Sequence, residues 1–158
     1  MHASEIHEIV KAQFGDAILE FKGDAVDPFI VLTAQRILDV ALFLRGDERL
    51  QFGSLMCLSG VDYNDGTLGV VYHVDSMPLG HKIVLKVRIP KDNPHVPSVE
   101  SVWKTANWHE REAYDLIGVV FDGHPDLRRI LLPDDWEGHP LRKDYKVPEF
   151  YNGMKVPY

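Results

Sequence analysis

An acid, a base and an acid in a row, Glu110, Arg111 and Glu112, open the stretch where most of the side chains capable of chemistry are gathered. Asp115, His124, Arg128, Arg129, Arg142 and Lys143 follow before Tyr145. Such a set could move protons, hold a metal or tie chain segments together through ion pairs. The run from His109 to Ala113 begins like the two-histidine zinc helix of metalloproteases, but the second imidazole of that motif would have to stand where Ala113 does. A looser metal site from His109, Glu112, His124 and His139 can be drawn, yet the chain has 8 His and some will approach one another without purpose. His124 and His139 each sit in a Gly-His-Pro turn, and the simpler expectation is that both hydrogen-bond to backbone there. Glu110 with Glu112, or Asp134 with Asp135, could serve acid–base hydrolysis, but residues two apart on a helix point to different faces. Cys57 lies in the apolar run Leu55 to Leu58 and reads as a buried packing residue rather than a nucleophile.

Composition narrows the field further. At 158 residues, 45% apolar and 26% charged, the chain reads as one globular domain with a core of its own, residues 1–158, rather than a disordered segment. The formal charge of −7 offers nothing to a nucleic-acid backbone as a whole. The basic residues Arg128, Arg129, Arg142 and Lys143 are interspersed with Asp126, Asp134, Asp135, Glu137 and Asp144, which suits a protein interface better than a phosphate track. One cysteine rules out an internal disulfide and a self-contained iron–sulfur cluster. No Gly-rich loop follows a strand to take a dinucleotide. No apolar run reaches the roughly 20 residues of a membrane span, and the first residues lack a signal peptide's apolar segment, so a cytoplasmic or membrane-peripheral location is expected.

The elements that must position the charged stretch can be read in order. Ser4 caps an expected helix Glu5–Phe14 that Gly15 ends, with Ile6, Ile9, Val10 and Phe14 on one face. Strands are expected over Ala17–Lys22 and Phe29–Leu32, then a helix Ala34–Leu44 capped by Thr33. From Leu50 to Ile89 the period becomes alternating, clearest where Ile83, Leu85, Val87 and Ile89 alternate with Lys82, Lys86 and Arg88. With Phe52–Tyr63, the turn Asn64–Asp65–Gly66 and Leu68–Asp75, this predicts a three-strand antiparallel meander with helices over one face. Lys91–Pro97 has the composition of a loop, and Ser98 caps a short turn Val99–Lys104.

In the charged stretch itself, Asn107 and Glu110 have capping-box spacing, predicting a helix Trp108–Ile117 that Gly118 closes in the left-handed conformation. Glu112, flanked at helical spacing by Trp108, Asp115 and Leu116, is expected half-buried and in need of a cation. Arg128 or Arg129 should return after the turn at His124 to make a bidentate bond with Glu112 or Asp115. Beyond Val119, the prolines at 125, 133, 140, 148 and 157 predict an extended arm suited to wrapping on a partner, ending in a tail with exposed aromatics. The fold class is therefore α+β, a mainly antiparallel sheet covered by helices in residues 1–118, with a proline-rich arm over 119–158.

The run Glu110-Arg111-Glu112, two residues, Asp115-Leu116-Ile117, six residues, His124, three residues, Arg128-Arg129-Ile130 resembles the signature of the thirty-kilodalton-type subunit, or C subunit, of NADH-quinone oxidoreductase, respiratory complex I. Leu131 to Tyr145 is similar to the continuation in that family. The resemblance is specific over Asn107–Tyr145, weaker over Gln51–Trp103, and carries little in the first fifty residues. Arg128 stands where Lys is often found, which keeps the charge. The chain ends soon after the motif, so no fusion to a neighbouring subunit is expected.

The resemblance implies a non-catalytic structural subunit of the peripheral arm. Glu110, Arg111, Glu112, Asp115, His124, Arg128, Arg129, Arg142 and Lys143 would then be signature and interface residues, with no catalytic, cofactor or metal site in the chain. FMN and iron–sulfur clusters would lie on partner subunits, among them the D-type quinone-site subunit and the iron–sulfur subunits. Association with the membrane would be indirect, at the cytoplasmic side of the cell inner membrane. An equivalent subunit of a membrane-bound hydrogenase or another quinone- or ferredoxin-linked dehydrogenase fits the same residues. From another class, a stand-alone metal-dependent hydrolase built on the histidines is the remaining reading.

Overall fold

In the computed structural model, which describes residues 1–156, the helical period of the first residues gives α1 (Ala3–Phe14), burying Ile6 and Val10. The helix begins before Ser4: His2 precedes it and donates its N–H to Glu5 Oε2 at 2.6 Å, so Ser4 lies inside the first turn rather than capping it. β1 (Ile18–Lys22) and β2 (Phe29–Leu32) pair antiparallel. Thr33 makes no capping bond through its side chain; the chain tightens into a 3-10 turn, Ala34–Arg36, before α2 (Ile37–Gly46) buries Ile37, Val40, Ala41 and Leu44.

The alternating stretch forms the expected meander: β3 (Ser54–Asp62), β4 (Thr67–Ser76) and β5 (His81–Pro90), all antiparallel. Its first turn needs left-handed backbone at Asn64 (φ 59) and Gly66 (φ 86), which explains the Asn-Asp-Gly sequence. The five-stranded order is β1-β2-β5-β4-β3, because β2 runs parallel to β5 with Phe29 opposite Val84 and Leu32 opposite Val87. That parallel pairing joins segments separated by α2 and two strands, and no local turn signal announces such a contact. Ile83, Leu85 and Val87 of β5 meet Val70, Tyr72 and Val74 of β4 and the apolar faces of α1 and α2 in one core.

Lys91–Pro97, expected as a loop, contains β6 (His95–Pro97), which pairs parallel with β7 (Val120–Asp122). Its prolines allow this because Val96 sits in the core and the strand has a single neighbour. Cys57, expected buried, is half-buried instead: it lies opposite His73 on β4, with Sγ 3.4 Å from Ser59 Oγ. α3 (Ala106–Ile117) lies along β3, and a Cβ on Gly60 would come within 3.2 Å of Ala113 and Ile117, so the glycine admits the helix.

Residues 123–149 contain neither helix nor strand, but they fold back onto the end of α3 rather than extending away as the proline spacing predicted. Within the tail, β8 (Phe150–Tyr151) and β9 (Met154–Lys155) form a small hairpin, and Trp136 packs against Tyr151 at 5.0 Å. Pro157 and Tyr158 of the expected arm lie outside the described residues.

Candidate functional site: a charged joint around helix α3

Asp115, fully buried on the last turn of α3, is the centre of the joint. Its Oδ1 accepts from Arg129 Nη1 at 2.7 Å, and its Oδ2 accepts three successive backbone N–H groups, Ile130 at 3.0 Å, Leu131 at 2.8 Å and Leu132 at 2.9 Å. A run of amides folded around one oxygen is an anion nest, here filled by the protein's own carboxylate. Burial pushes the Asp115 carboxyl up, but the Leu132 N–H, the Arg129 guanidinium and the Leu131 and Ile130 N–H groups outweigh it and hold the group below the ordinary aspartate range. The expected bidentate carboxylate fork is replaced by a wider grip, with the same guanidinium also donating to the carbonyls of Asp115, Trp136 and Gly138. The two carboxylate oxygens are divided because the backbone nest occupies one of them.

Other cations complete the clamp. Arg111, buried on α3, donates to the carbonyls of Arg128 at 3.3 Å and Arg129 at 3.2 Å. Arg142 donates through Nε to the Ile117 carbonyl at 2.6 Å, satisfying an orphan acceptor at the helix C-terminus and facing the negative end of its dipole. His139 Nδ1 donates to the Asp115 carbonyl at 2.9 Å, and burial first, then the Arg142 and Arg129 charges, keep its pKa below the ordinary value. Arg142 and His139 crowd Gly118, whose φ of 82° is the predicted left-handed stop; a Cβ there would lie 2.6 Å from both side chains. Only glycine meets both conditions.

Glu110 corrects the expected capping box. Asn107 lies inside the helix, Thr105 precedes it, and Glu110, fully buried, turns away from the N-terminus to accept from Ser98 Oγ at 2.6 Å and the Val99 N–H at 2.8 Å. The carboxyl thereby caps the turn before α3 and ties it to the helix. Among the described residues no cation pairs with it: His124 Nε2 is 4.0 Å away, but that nitrogen donates to the Asn107 carbonyl while Nδ1 accepts the Asp126 N–H, which requires the neutral ring. Burial raises the Glu110 pKa to about 7 against the lowering effect of the Ser98 and Val99 bonds.

A second joint went unannounced in the sequence. Asp62, at the end of β3, accepts the Lys143 N–H at 2.9 Å, the Asn64 N–H at 2.9 Å and the Lys91 ammonium at 3.0 Å, which itself reaches Asp144 at 3.0 Å. The Lys143 N–H first, then Asn64 and Lys91, lower its pKa to about 2 against the effect of burial. The sequence placed Asp62 inside the expected strand Phe52–Tyr63, with nothing to mark it as the partner of residues 29 and 81 positions downstream.

These closures fall within the region matched by the family described as respiratory-chain NADH dehydrogenase, 30 Kd subunit, which covers residues 30–151. The chain belongs to that family. It is 53% identical over 155 residues to the C subunit of NADH-quinone oxidoreductase from Chlorobium phaeobacteroides, covering 96% of this chain and 93% of that one. The corresponding protein of Chloroherpeton thalassium is likewise 53% identical over 154 residues, 96% of this chain and 64% of that protein's length. Among solved structures, the trypsin-resistant fragment 1–134 of Nqo5 matches with a TM-score of 0.65 at 28% identity, covering 80% of this chain and 100% of the fragment. A chain of the membrane-bound sulfane sulfur reductase, an archaeal respiratory membrane complex, matches with a TM-score of 0.75 at 26% identity, covering 90% of this chain and 85% of that one.

Within this 30 kDa subunit fold the signature residues divide in two. Glu110, Arg111, Asp115, His124, Arg129 and Arg142 close on one another and on backbone. Glu112, expected half-buried, is exposed, because Ala113 and Ile117 take the face toward β3 and Asp115 takes the nest. Arg128 turns outward to Asp126 at 2.9 Å, and the Lys143 side chain is exposed while its backbone serves Asp62. His109, Glu112, His124 and His139 are not gathered: among the described residues no three His, Cys, Asp or Glu side chains converge as a metal site would require. Among the described residues, no helix is long and apolar enough to cross a membrane.

Proposed function

We propose that this chain is a non-catalytic structural subunit of the peripheral arm of a proton-translocating NADH-quinone oxidoreductase. The observation that carries this reading is the 53% identity to proteins named as the C subunit of that enzyme, over 96% of the chain. The chemistry of the charged joint agrees with it: Glu110, Arg111, Asp115, His124, Arg129 and Arg142 of the signature are taken up in bonds to one another and to backbone. The subunit would hold the quinone-reducing module together while electrons pass from NADH through clusters on neighbouring iron–sulfur subunits to quinone. With one cysteine the chain cannot ligate a cluster, and FMN and iron–sulfur clusters would belong to those partners.

The D-type quinone-site subunit is the main proposed neighbour. Its contact would use the outward-facing signature residues, Glu112, Arg128 and Lys143, with the exposed apolar side chains of the same region, Trp108, Leu131, Leu141 and Phe150. Attachment to the membrane would be indirect and on the cytoplasmic side. The likeness to a chain of an archaeal respiratory membrane complex favours a second reading, an equivalent subunit of another membrane-bound oxidoreductase. The difference between 53% and 26% identity ranks the NADH-linked reading first.

Affinity purification of the tagged chain from solubilised membranes tests this. Co-purification of flavin and iron–sulfur subunits with NADH-quinone reductase activity is expected. Partners reducing quinone from another donor would select the second reading, and a soluble monomer with hydrolytic activity would overturn both.

A further inference from the structure

The two edges of the five-stranded sheet are built differently. β1 is five residues long, carries Glu20 and Lys22, and shifts register between Ile18 and Glu20, all features that discourage another strand from adding. β3 is nine residues long and has no charge and no proline before Asp62. After one irregularity between Leu55 and Cys57, it pairs regularly with β4 from Cys57 through Asp62. An open edge of this length presents a row of backbone donors and acceptors to any extended chain.

Beside that edge lies a groove of about 160 Å³ lined by Leu58, Ser59, Gly60, Glu112, Leu116 and Leu141. Leu141 is 57% exposed, and Met56 on the same strand is 48% exposed. Glu112 stands at the groove with no ion pair among the described residues. A strand laid along β3 would project alternate side chains into this groove, where apolar residues meet Leu116 and Leu141 and a cation meets Glu112.

A second copy of the chain fits poorly. α3 runs along β3, from Thr105, whose Oγ1 donates to the Leu55 carbonyl, to Ile117 over Gly60. Antiparallel two-fold pairing of two β3 edges keeps both α3 helices on the same side of the joined sheet. They would stand over strands about 4.8 Å apart, whereas packed helices need about 8–10 Å. The occupant must therefore be a strand with no helix above it.

We propose that the free edge of β3 receives an extended segment of a different subunit as a sixth strand, with apolar side chains over Leu116 and Leu141 and a Lys or Arg opposite Glu112. The proposal rests on the reading above that the chain works inside a multisubunit complex. Amide hydrogen exchange over residues 54–62 in the isolated chain and in the complex purified through a tag on it tests both. Amides between Cys57 and Asp62 should exchange at least about tenfold more slowly in the complex, while β1 is unchanged. The double variant Glu112→Lys, Leu141→Lys should lose that protection while the isolated variant exchanges like the parent chain.

Equal exchange of β3 in both states would overturn the proposal and leave the functional reading intact. Protection in the isolated chain that grows with its concentration would assign the edge to a second copy and overturn it too. Protection retained by the double lysine variant would remove the groove from the recognition. Recovery of the chain without other subunits would sink the functional reading and this inference with it.

Discussion

Replacing Asp115 by Asn removes one charge and almost no volume, so its effect isolates the nest. The carboxylate accepts the Arg129 guanidinium on one oxygen and three backbone N–H groups on the other. An amide has one acceptor oxygen, so either the nest or the guanidinium faces an NH₂ group instead. Hydrogen bonds to a charged group contribute about 1.5–3 kcal/mol each, and breaking a buried pair costs about 3–5 kcal/mol. Arg129 keeps its bonds to the Asp115, Trp136 and Gly138 carbonyls, which moderates the loss. The expected cost is about 2–4 kcal/mol at neutral pH, a fall in Tm of roughly 5–15 °C for a chain of this size.

Thermal and urea melts followed by circular dichroism would measure it. A double-mutant cycle with Arg129→Met should give a coupling of at least about 1.5 kcal/mol. The pH dependence has a definite sign. Because the folded pKa of Asp115 is depressed, its stabilisation is complete above the unfolded value of about 3.9 and is lost as pH falls through the folded one. The gap between parent and variant should therefore narrow below about pH 4. A cost under about 0.5 kcal/mol at pH 7, or a gap indifferent to acid, would refute the view that this carboxylate anchors residues 129–132.

Glu110 should behave in the opposite sense. Its folded pKa of about 7 lies above the ordinary glutamate value of 4.5, so its contribution is complete below the unfolded value and is lost as pH rises through the folded one. Between pH 4.5 and 7 the parent should lose on the order of 3 kcal/mol that Glu110→Gln does not, read from urea midpoints across that window. Gly118→Ala should cost about 2–3 kcal/mol, since left-handed backbone and contact with Arg142 and His139 add, whereas Gly66→Ala, with φ 86 and open space around it, should cost about 1 kcal/mol; urea midpoints compare the two. Gly60→Val should push α3 off β3 at about 1–3 kcal/mol, seen as faster amide exchange in both elements; unchanged exchange would contradict the close approach.

Features that depend on near neighbours were legible in the sequence. The alternation from Ile83 to Ile89, the Asn-Asp-Gly turn and the helical stop at Gly118 each reflect backbone preferences of a few adjacent residues, and each stands where expected. The signature spacing also marked Asp115 and Arg129 among the candidate partners, because a helix end followed by turns limits which charges can return. Where two local rules competed, the sequence alone misled. Asn107 and Glu110 have capping-box spacing, yet Ser98 and Val99 offered Glu110 a buried pair of donors that the helix terminus could not match.

Which charges closed inward was settled by packing between distant segments. The parallel pairing of β2 with β5, the nest around Asp115 and the grip of Lys143 on Asp62 all use backbone N–H and C=O groups as partners. Nearly every residue carries those groups, so no residue type in the sequence marks the ones that will be used. The same packing left Glu112 outside, beside an open strand edge, and made the conspicuous Glu-Arg-Glu triplet two inward anchors and one outward acid.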